Sequence, residues 1–290
     1  MSVTDDEAPR CYRHPNRETR VSCSECDRPI CEDCMNFAPV GIRCPEHAAL
    51  GRQKGELRRQ TRTATHTIAR SDAPATIALI AVNLLVYIAT VAQGDGLSRP
   101  GGWLIENGAL IGGVDGAFGV ANGDWWRLAT SAFLHASLLH IAFNMFALYS
   151  IGSAVEQLLG TTRYLLIYSA AGLSGSAGAL LLSDRLDVTV GASGGIFGLM
   201  GALLIWEFVQ TGSFAGQALG LIVLNLALTF AIPNISIGGH IGGLVGGAAA
   251  AYALMRTRFM TPRWMGPALA VGVAVAAVVV AAVRVGSYPA

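Results

Sequence analysis

The chain changes character near residue 75. Up to there polar and charged positions dominate; beyond it, long apolar runs follow one another with short polar turns between them. Seven runs stand at roughly 75–93, 129–153, 164–182, 193–209, 217–232, 239–255 and 266–283. A helix rises 1.5 Å per residue, so about 20 apolar residues cross a hydrocarbon core of about 30 Å. The fourth to sixth runs are shorter and Gly-rich, and their uncharged flanks leave room for further helical turns. The interval 94–128 is too polar to cross a bilayer, yet Trp103, Trp125 and Trp126 make it unlike a plain linker. Indoles settle at the headgroup level, which predicts an interfacial loop. The pattern predicts an all-α fold, a polytopic membrane helix bundle behind a small N-terminal module. The expected domains are a module at 1–50, a basic linker at 51–74 and a membrane domain at 75–283, with its seventh helix at 266–283.

Composition sharpens this picture. Hydrophobic residues make up 52% of the 290 and charged ones only 13%, against about 25% charged in soluble domains. A net charge of +1 gives no footprint for a nucleic-acid partner. The first ten residues lack the basic-then-apolar pattern of a secretory signal, so the first span is expected to direct insertion. Lys and Arg near span ends favour the cytoplasmic side. With the N-terminus inside, that side holds Arg52, Lys54, Arg58, Arg59, Arg62, Arg70, Arg163, Arg256, Arg258 and Arg263. The other holds Arg99, Arg127, Arg185 and Arg284. The bias predicts a cytoplasmic N-terminus and an outer C-terminus.

Polar side chains inside a bilayer are costly and point to function. Here they gather in three runs: His135, His140 and Asn144 in the second, Ser193 opening the fourth, and His240 opening the sixth. In this orientation all three runs pass from outside to inside. Ser193, His240 and His140 therefore fall in the outer half of the bilayer at similar depth, with His140 a turn or two into its span. Gly194, Gly198 and Gly201, and Gly239, Gly243 and Gly247, give two spans a smooth stripe that lets backbones approach. Such a crossing brings Ser193 and His240 together, the imidazole placed to take the hydroxyl proton during attack on a carbonyl. His140 and Asn144, four apart on one helix face, can donate to an oxyanion beside the Ser193 N–H. An acidic third member is missing: Glu207 lies about 21 Å along the helix from Ser193. The expectation is a Ser–His dyad. Taken singly, each feature has an ordinary reading: a back-bonded serine, a packing stripe, a buried histidine. The stretch Gly191-Ala192-Ser193-Gly194-Gly195 also fits the soluble hydrolase elbow, but that motif needs a preceding strand.

At these residues the sequence resembles the rhomboid intramembrane proteases over about 70–283. The motifs are Trp126-Arg127, HASLLHIAFN with His135, His140 and Asn144, GSAVEQLLG with Glu156, GASG from Gly191 to Gly194, and GHIGGLVGG with His240, Gly243 and Gly247. The resemblance implies a rhomboid-like six-helix core, with Ser193 as nucleophile, His240 as base and His140 and Asn144 binding the oxyanion. It implies that His135 supports the oxyanion region and that Trp126, Arg127 and Glu156 are structural. It further implies cleavage of single-span transmembrane substrates near the outer face, without a catalytic cofactor. The expected setting is the lipid bilayer of a bacterial plasma membrane. Two other functions stay open on residues alone: a non-catalytic scaffold that binds membrane helices, and a proton-coupled transporter using His135, His140 and His240.

All six cysteines lie between Cys11 and Cys44. With His14 and His47 they form four pairs, each with a two-residue gap: Cys11/His14, Cys23/Cys26, Cys31/Cys34 and Cys44/His47. Eight such ligands suit two tetrahedral Zn2+ ions. So short a segment with few large apolar residues needs metal to fold. A disulfide knot, or one zinc with spare cysteines, are the other readings. The spacing resembles the B-box-type zinc finger, which implies cross-braced pairing: Cys11, His14, Cys31 and Cys34 on one ion, Cys23, Cys26, Cys44 and His47 on the other. Sequential pairing is equally compatible with the residues. Arg17, Arg20 and Arg28 are interleaved with Glu25, Asp27, Glu32 and Asp33, a solvated surface better suited to a cytosolic protein partner than to nucleic acid.

Overall fold

A computed structural model describes residues 8–37, 41–48, 73–114, 117–233, 235–257 and 262–288. They fall into two compact units, Met1–Ser71 and Asp72–Ala290. The basic linker expected at 51–74 lies, apart from Ala73 and Pro74, outside the described residues, as does Arg258.

The first unit has almost no conventional core. Its buried cluster is Ile30 with Cys11, Cys23, Cys31, Cys34 and Cys44. A short antiparallel pair, β1 (Asn36–Phe37) and β2 (Ile42–Arg43), accompanies it. Groups able to ligate a metal take the place that apolar side chains fill in larger domains.

The second unit is helical, and the seven apolar runs correspond to seven helices. α1 (Pro74–Gln93) opens with a proline, whose missing N–H is no loss in a first turn. Glu156 accepts the next two unmet donors, the N–H groups of Ala75 (3.0 Å) and Thr76 (2.8 Å). The interval before the second span folds as a layer of turns carrying α2 (Trp103–Gly108) and α3 (Arg127–Thr130). The long helices are α4 (Leu138–Leu159, with a π turn over Leu148–Gly152), α5 (Thr161–Leu182), α6 (Ser193–Thr211), α8 (Ile237–Arg256) and α9 (Met265–Gly286). These and α1 are the six helices long and apolar enough to cross a membrane. α7 (Gln217–Ala231) has 15 residues, about 22 Å of helix, and the extra turns that lengthen α6 and α8 are not added to it.

The second span corrects its expected bounds. The run at 129–153 does not start the helix, which begins nine residues later and ends six later. Residues 131–133 form a 3-10 turn, Leu134 is extended, and Ser137 is the N-cap, its hydroxyl accepting the His140 N–H at 3.3 Å. His135 therefore lies in the loop ahead of the span, and His140 in the first helical turn.

Glycine decides how the bundle closes. α8 packs most extensively on α5 and α6. A β-carbon on Gly247 would stand 2.2 Å from the Gly198 Cα, and one on Gly243 2.1 Å from the Gly194 carbonyl oxygen. On its other face, a β-carbon on Gly238 would meet the Gly178 carbonyl oxygen at 2.1 Å, and one on Gly242 that of Ser174 at 2.3 Å. α8 is thus wedged between two helices, a second contact beyond the expected α6–α8 crossing. α9 joins α5 through Arg284 Nε donating to the Leu180 carbonyl at 3.0 Å. Outward positions such as Leu85, Phe143, Phe146 and Val283 are about two-thirds exposed, as suits a surface covered by lipid.

Candidate active site

α6 begins at Ser193, directly after Gly191 and Ala192. Gly191 has φ +127° and donates its N–H to the Ser131 carbonyl at 2.9 Å. Thr189 bridges antiparallel to Leu110. The nucleophile candidate thus emerges from a segment clamped to the turn layer. Being first in its helix, Ser193 has no intrahelical partner for its N–H, which stays available as a donor.

His140 approaches from α4. The Ala136 N–H points at its Nδ1 at 3.3 Å, so Nδ1 accepts and Nε2 carries the proton. That Nε2 lies 2.8 Å from where a Gly191 β-carbon would be, and Ser193 Oγ lies 3.7 Å from the same point. A side chain at 191 would fill the space on which hydroxyl and imidazole N–H converge. Asn144, one turn on, donates from Nδ2 to the His140 carbonyl at 2.9 Å, while its buried Oδ1 has no hydrogen-bond partner. His135 is fully buried, and neither ring nitrogen is hydrogen-bonded. Its ring packs edge-on against His140 with centroids 5.1 Å apart. Packing, and not a polar contact, is its connection to the site.

His240 stands in the first turn of α8, 8% exposed. Its ring stacks on Phe197, centroids 4.1 Å apart and planes 19° apart. Phe197 is four residues after Ser193, on the same face of α6. The imidazole therefore lies over the Ser193 side of that helix. Among the described residues no hydrogen bond joins Ser193 Oγ to His240; the ring's Nδ1 is bonded to Thr229 Oγ1 of α7 at 2.7 Å. Among the described residues Nε2 has no hydrogen-bond partner, and it is not sealed as the His135 nitrogens are. Phe197 and Thr229 went unseen in the sequence, because one phenylalanine and one threonine in apolar helices carry no signal of their own.

The remaining motif residues brace this frame. Arg127 is 2% exposed, pairs with Asp124 at 2.9 Å and donates to the carbonyls of Glu106 and Ala109 at 2.8 Å each. Trp126 Nε1 donates to the Asn107 carbonyl at 2.8 Å. Together they staple α2 to α3 in the turn layer ahead of the second span. Glu156 joins α4 to α1 as described, and Gly194, Gly243 and Gly247 set the α6–α8 approach. Glu207 caps α7 through the Ala218 N–H, far from Ser193.

In the first unit, Cys11, His14, Cys31 and Cys34 form one group and Cys23, Cys26, Cys44 and His47 another, the ligand atoms of each within 4.8 Å of one another. This is the cross-braced grouping. A tetrahedral zinc with its usual bond lengths sets S···S near about 3.8 Å and S···N near about 3.5 Å. Here Cys11 and Cys34 sulfurs are 3.9 Å apart, His14 Nδ1 is 3.3 Å from Cys31 and 3.4 Å from Cys34, and His47 Nδ1 is 3.1 Å from Cys44 and 3.7 Å from Cys23. The described cysteines are free thiols. Burial pushes the Cys11 and Cys23 thiols up, but backbone N–H groups and the neighbouring histidines pull each down further, to about 6. Burial and the sulfurs of Cys11 and Cys31 push Cys34 up to about 11. A dication would relieve that crowding of sulfurs, so the residues fit the ion.

The Rhomboid domain family matches residues 122–257, a range that holds Trp126, both histidines of the turn and α4, Ser193 and His240. The chain is 42% identical over 162 residues to Rhomboid protease GluP of Bacillus subtilis (strain 168), covering 54% of this chain and 32% of that protein. It is 38% identical over 133 residues to YdcA of the same organism, covering 44% of this chain and 67% of YdcA. RHOMBOID-like protein 5 of Arabidopsis thaliana is 34% identical over 158 residues, 51% of each. The chain thus spans about a third of the length of the first, two thirds of the second and half of the third.

Proposed function

We propose that this chain, which belongs to the rhomboid family, is an intramembrane serine endopeptidase acting on transmembrane protein substrates. The observation that carries the reading is the convergence of Ser193 Oγ and His140 Nε2 on the space left by Gly191. A carbonyl seated there would meet a nucleophile and an N–H donor together.

In this reading His240 Nε2 removes the Ser193 proton as Oγ attacks the scissile carbonyl. Hydrogen bonds between such groups are often long in resting enzymes and tighten when substrate binds. The oxyanion is met by His140 Nε2–H, the Asn144 amide and the Ser193 N–H. Collapse passes the proton from His240 to the leaving amine, and water then releases the acyl group by the same route. His135, Trp126, Arg127, Glu156, Gly191, Gly194, Gly243 and Gly247 hold the frame. The Lys and Arg distribution supports a cytoplasmic N-terminus, an outer C-terminus and cleavage near the outer face. The two Cys/His groups would each hold a structural Zn2+: four protein ligands apiece leave no open position for chemistry. A module of this kind suits binding of a cytosolic protein.

The test is labelling of the purified chain by a fluorophosphonate or isocoumarin probe. Labelling at Ser193, absent in Ser193→Ala and strongly weakened in His240→Ala, is expected. A chain that fails to label while still binding membrane helices would be a scaffold instead.

A further inference from the structure

A serine-activating histidine must present an unprotonated nitrogen to the hydroxyl, so its other nitrogen must hold the proton. In triads an aspartate ensures this; here α8 carries no acid, and Glu207, the one acid of α6, is turned to the Ala218 N–H. Thr229 supplies the nearest polar contact to His240. It is 3% exposed and its Oγ1 touches two atoms, His240 Nδ1 at 2.7 Å and the Asn225 carbonyl oxygen at 2.8 Å.

A hydroxyl has one proton and two lone pairs, and a carbonyl only accepts. If Thr229 donated to Nδ1, its lone pairs would face the Asn225 oxygen at 2.8 Å. Both contacts are hydrogen bonds in only one arrangement: Thr229 O–H donates to Asn225 O, and His240 Nδ1–H donates to Thr229 Oγ1. From this relay, and resting on the function proposed above, we infer that Thr229 is a positioning residue that fixes His240 as the Nδ1–H tautomer with the Nε2 lone pair free for Ser193. A neutral hydroxyl does so without placing a second charge in the bilayer, where an ionised carboxylate is expensive. The stack on Phe197 sets the plane of the ring, and Thr229 sets its proton. The base on α8 thus depends on a side chain of α7, a helix whose buried residues are only Ala218, Ile222 and Thr229.

The experiment compares wild type, Thr229→Val (same shape, no hydroxyl) and Thr229→Ser (hydroxyl kept) as full chains in liposomes. Two readouts are taken: kcat and KM on a fluorogenic transmembrane peptide, and 15N spectra of labelled histidine. Wild type should show His240 protonated at Nδ1. Thr229→Val should lose that signature and about 10- to 100-fold in kcat at nearly constant KM, and Thr229→Ser should stay within a few-fold of wild type. An Nε2–H wild type, a fully active Thr229→Val, or equal losses in Val and Ser variants would each overturn the inference. The spectra read the tautomer without turnover, so an inactive wild type with Nδ1 protonated would refute the protease reading and leave the relay standing.

Discussion

Gly191 and His140 are pressed together so closely that a β-carbon on the first would stand 2.8 Å from Nε2 of the second. The backbone at 191, φ +127°, is one that side chains rarely adopt, so the glycine serves both the turn and the cavity. Gly191→Ala should displace the imidazole donor. Losing one oxyanion donor costs about 100- to 1,000-fold in kcat, and His140→Ala should fall in the same range. Probe labelling rates check both, and a Gly191→Ala chain as reactive as wild type would place the oxyanion site elsewhere.

Helix crossing makes a sharper mechanical prediction. At Gly247 the obstacle is the Gly198 backbone at 2.2 Å, which cannot rotate away as a side chain can. Gly247→Ala should destabilise by about 1–3 kcal/mol through overpacking and cut activity by separating α6 from α8. Gly220 has open space around it, so Gly220→Ala should be neutral or stabilising by about 0.5–1 kcal/mol. Denaturant unfolding in detergent measures the pair, and equal effects would contradict the wedge.

Metal content separates the two pairings. The native chain should carry two zinc ions by elemental analysis. Cys11→Ser with Cys34→Ser should leave one if the grouping is cross-braced, since both belong to one group. Sequential pairing would damage both sites and leave none. Chelation should unfold the module, because metal binding is its folding energy.

The turn layer should be acid-sensitive. The Gly119 N–H first, and the Arg127 guanidinium with it, hold the Asp124 carboxyl below the usual carboxylate range despite partial burial. A carboxyl lowered on folding adds stability that is complete above its unfolded value of about 3.9 and is lost as pH falls through the lower folded value. Asp124→Asn should remove that dependence. It should also cost up to about 3 kcal/mol at neutral pH, by leaving buried Arg127 without its counter-ion. Hydrogen exchange over 103–130 at pH 7 and below pH 4 measures both effects; an unchanged pH response in Asp124→Asn would rule the pair out.

The apolar runs declared seven helices because lipid rewards burial of every side chain along a span, whatever its neighbours. Polar residues stood out inside them for the converse reason, which made Ser193, His240, His140 and Asn144 legible as candidates, as the paired gaps did the eight Cys and His residues of the first unit. Hydropathy misplaced the second span because the polar members of residues 129–137 are masked by Ala132, Phe133 and Leu134, while Ser131, Leu134 and His135 are buried by protein: only the Ser137 cap reveals where helix begins. Glycine spacing suggested that α6 and α8 touch, but α8 has glycines on two faces, and which helix meets each is settled by packing in three dimensions. The protons were beyond reach altogether. Whether Nδ1 or Nε2 of His140 and His240 carries hydrogen depends on Ala136 in a neighbouring turn and Thr229 on another helix, contacts that exist only once the bundle has closed.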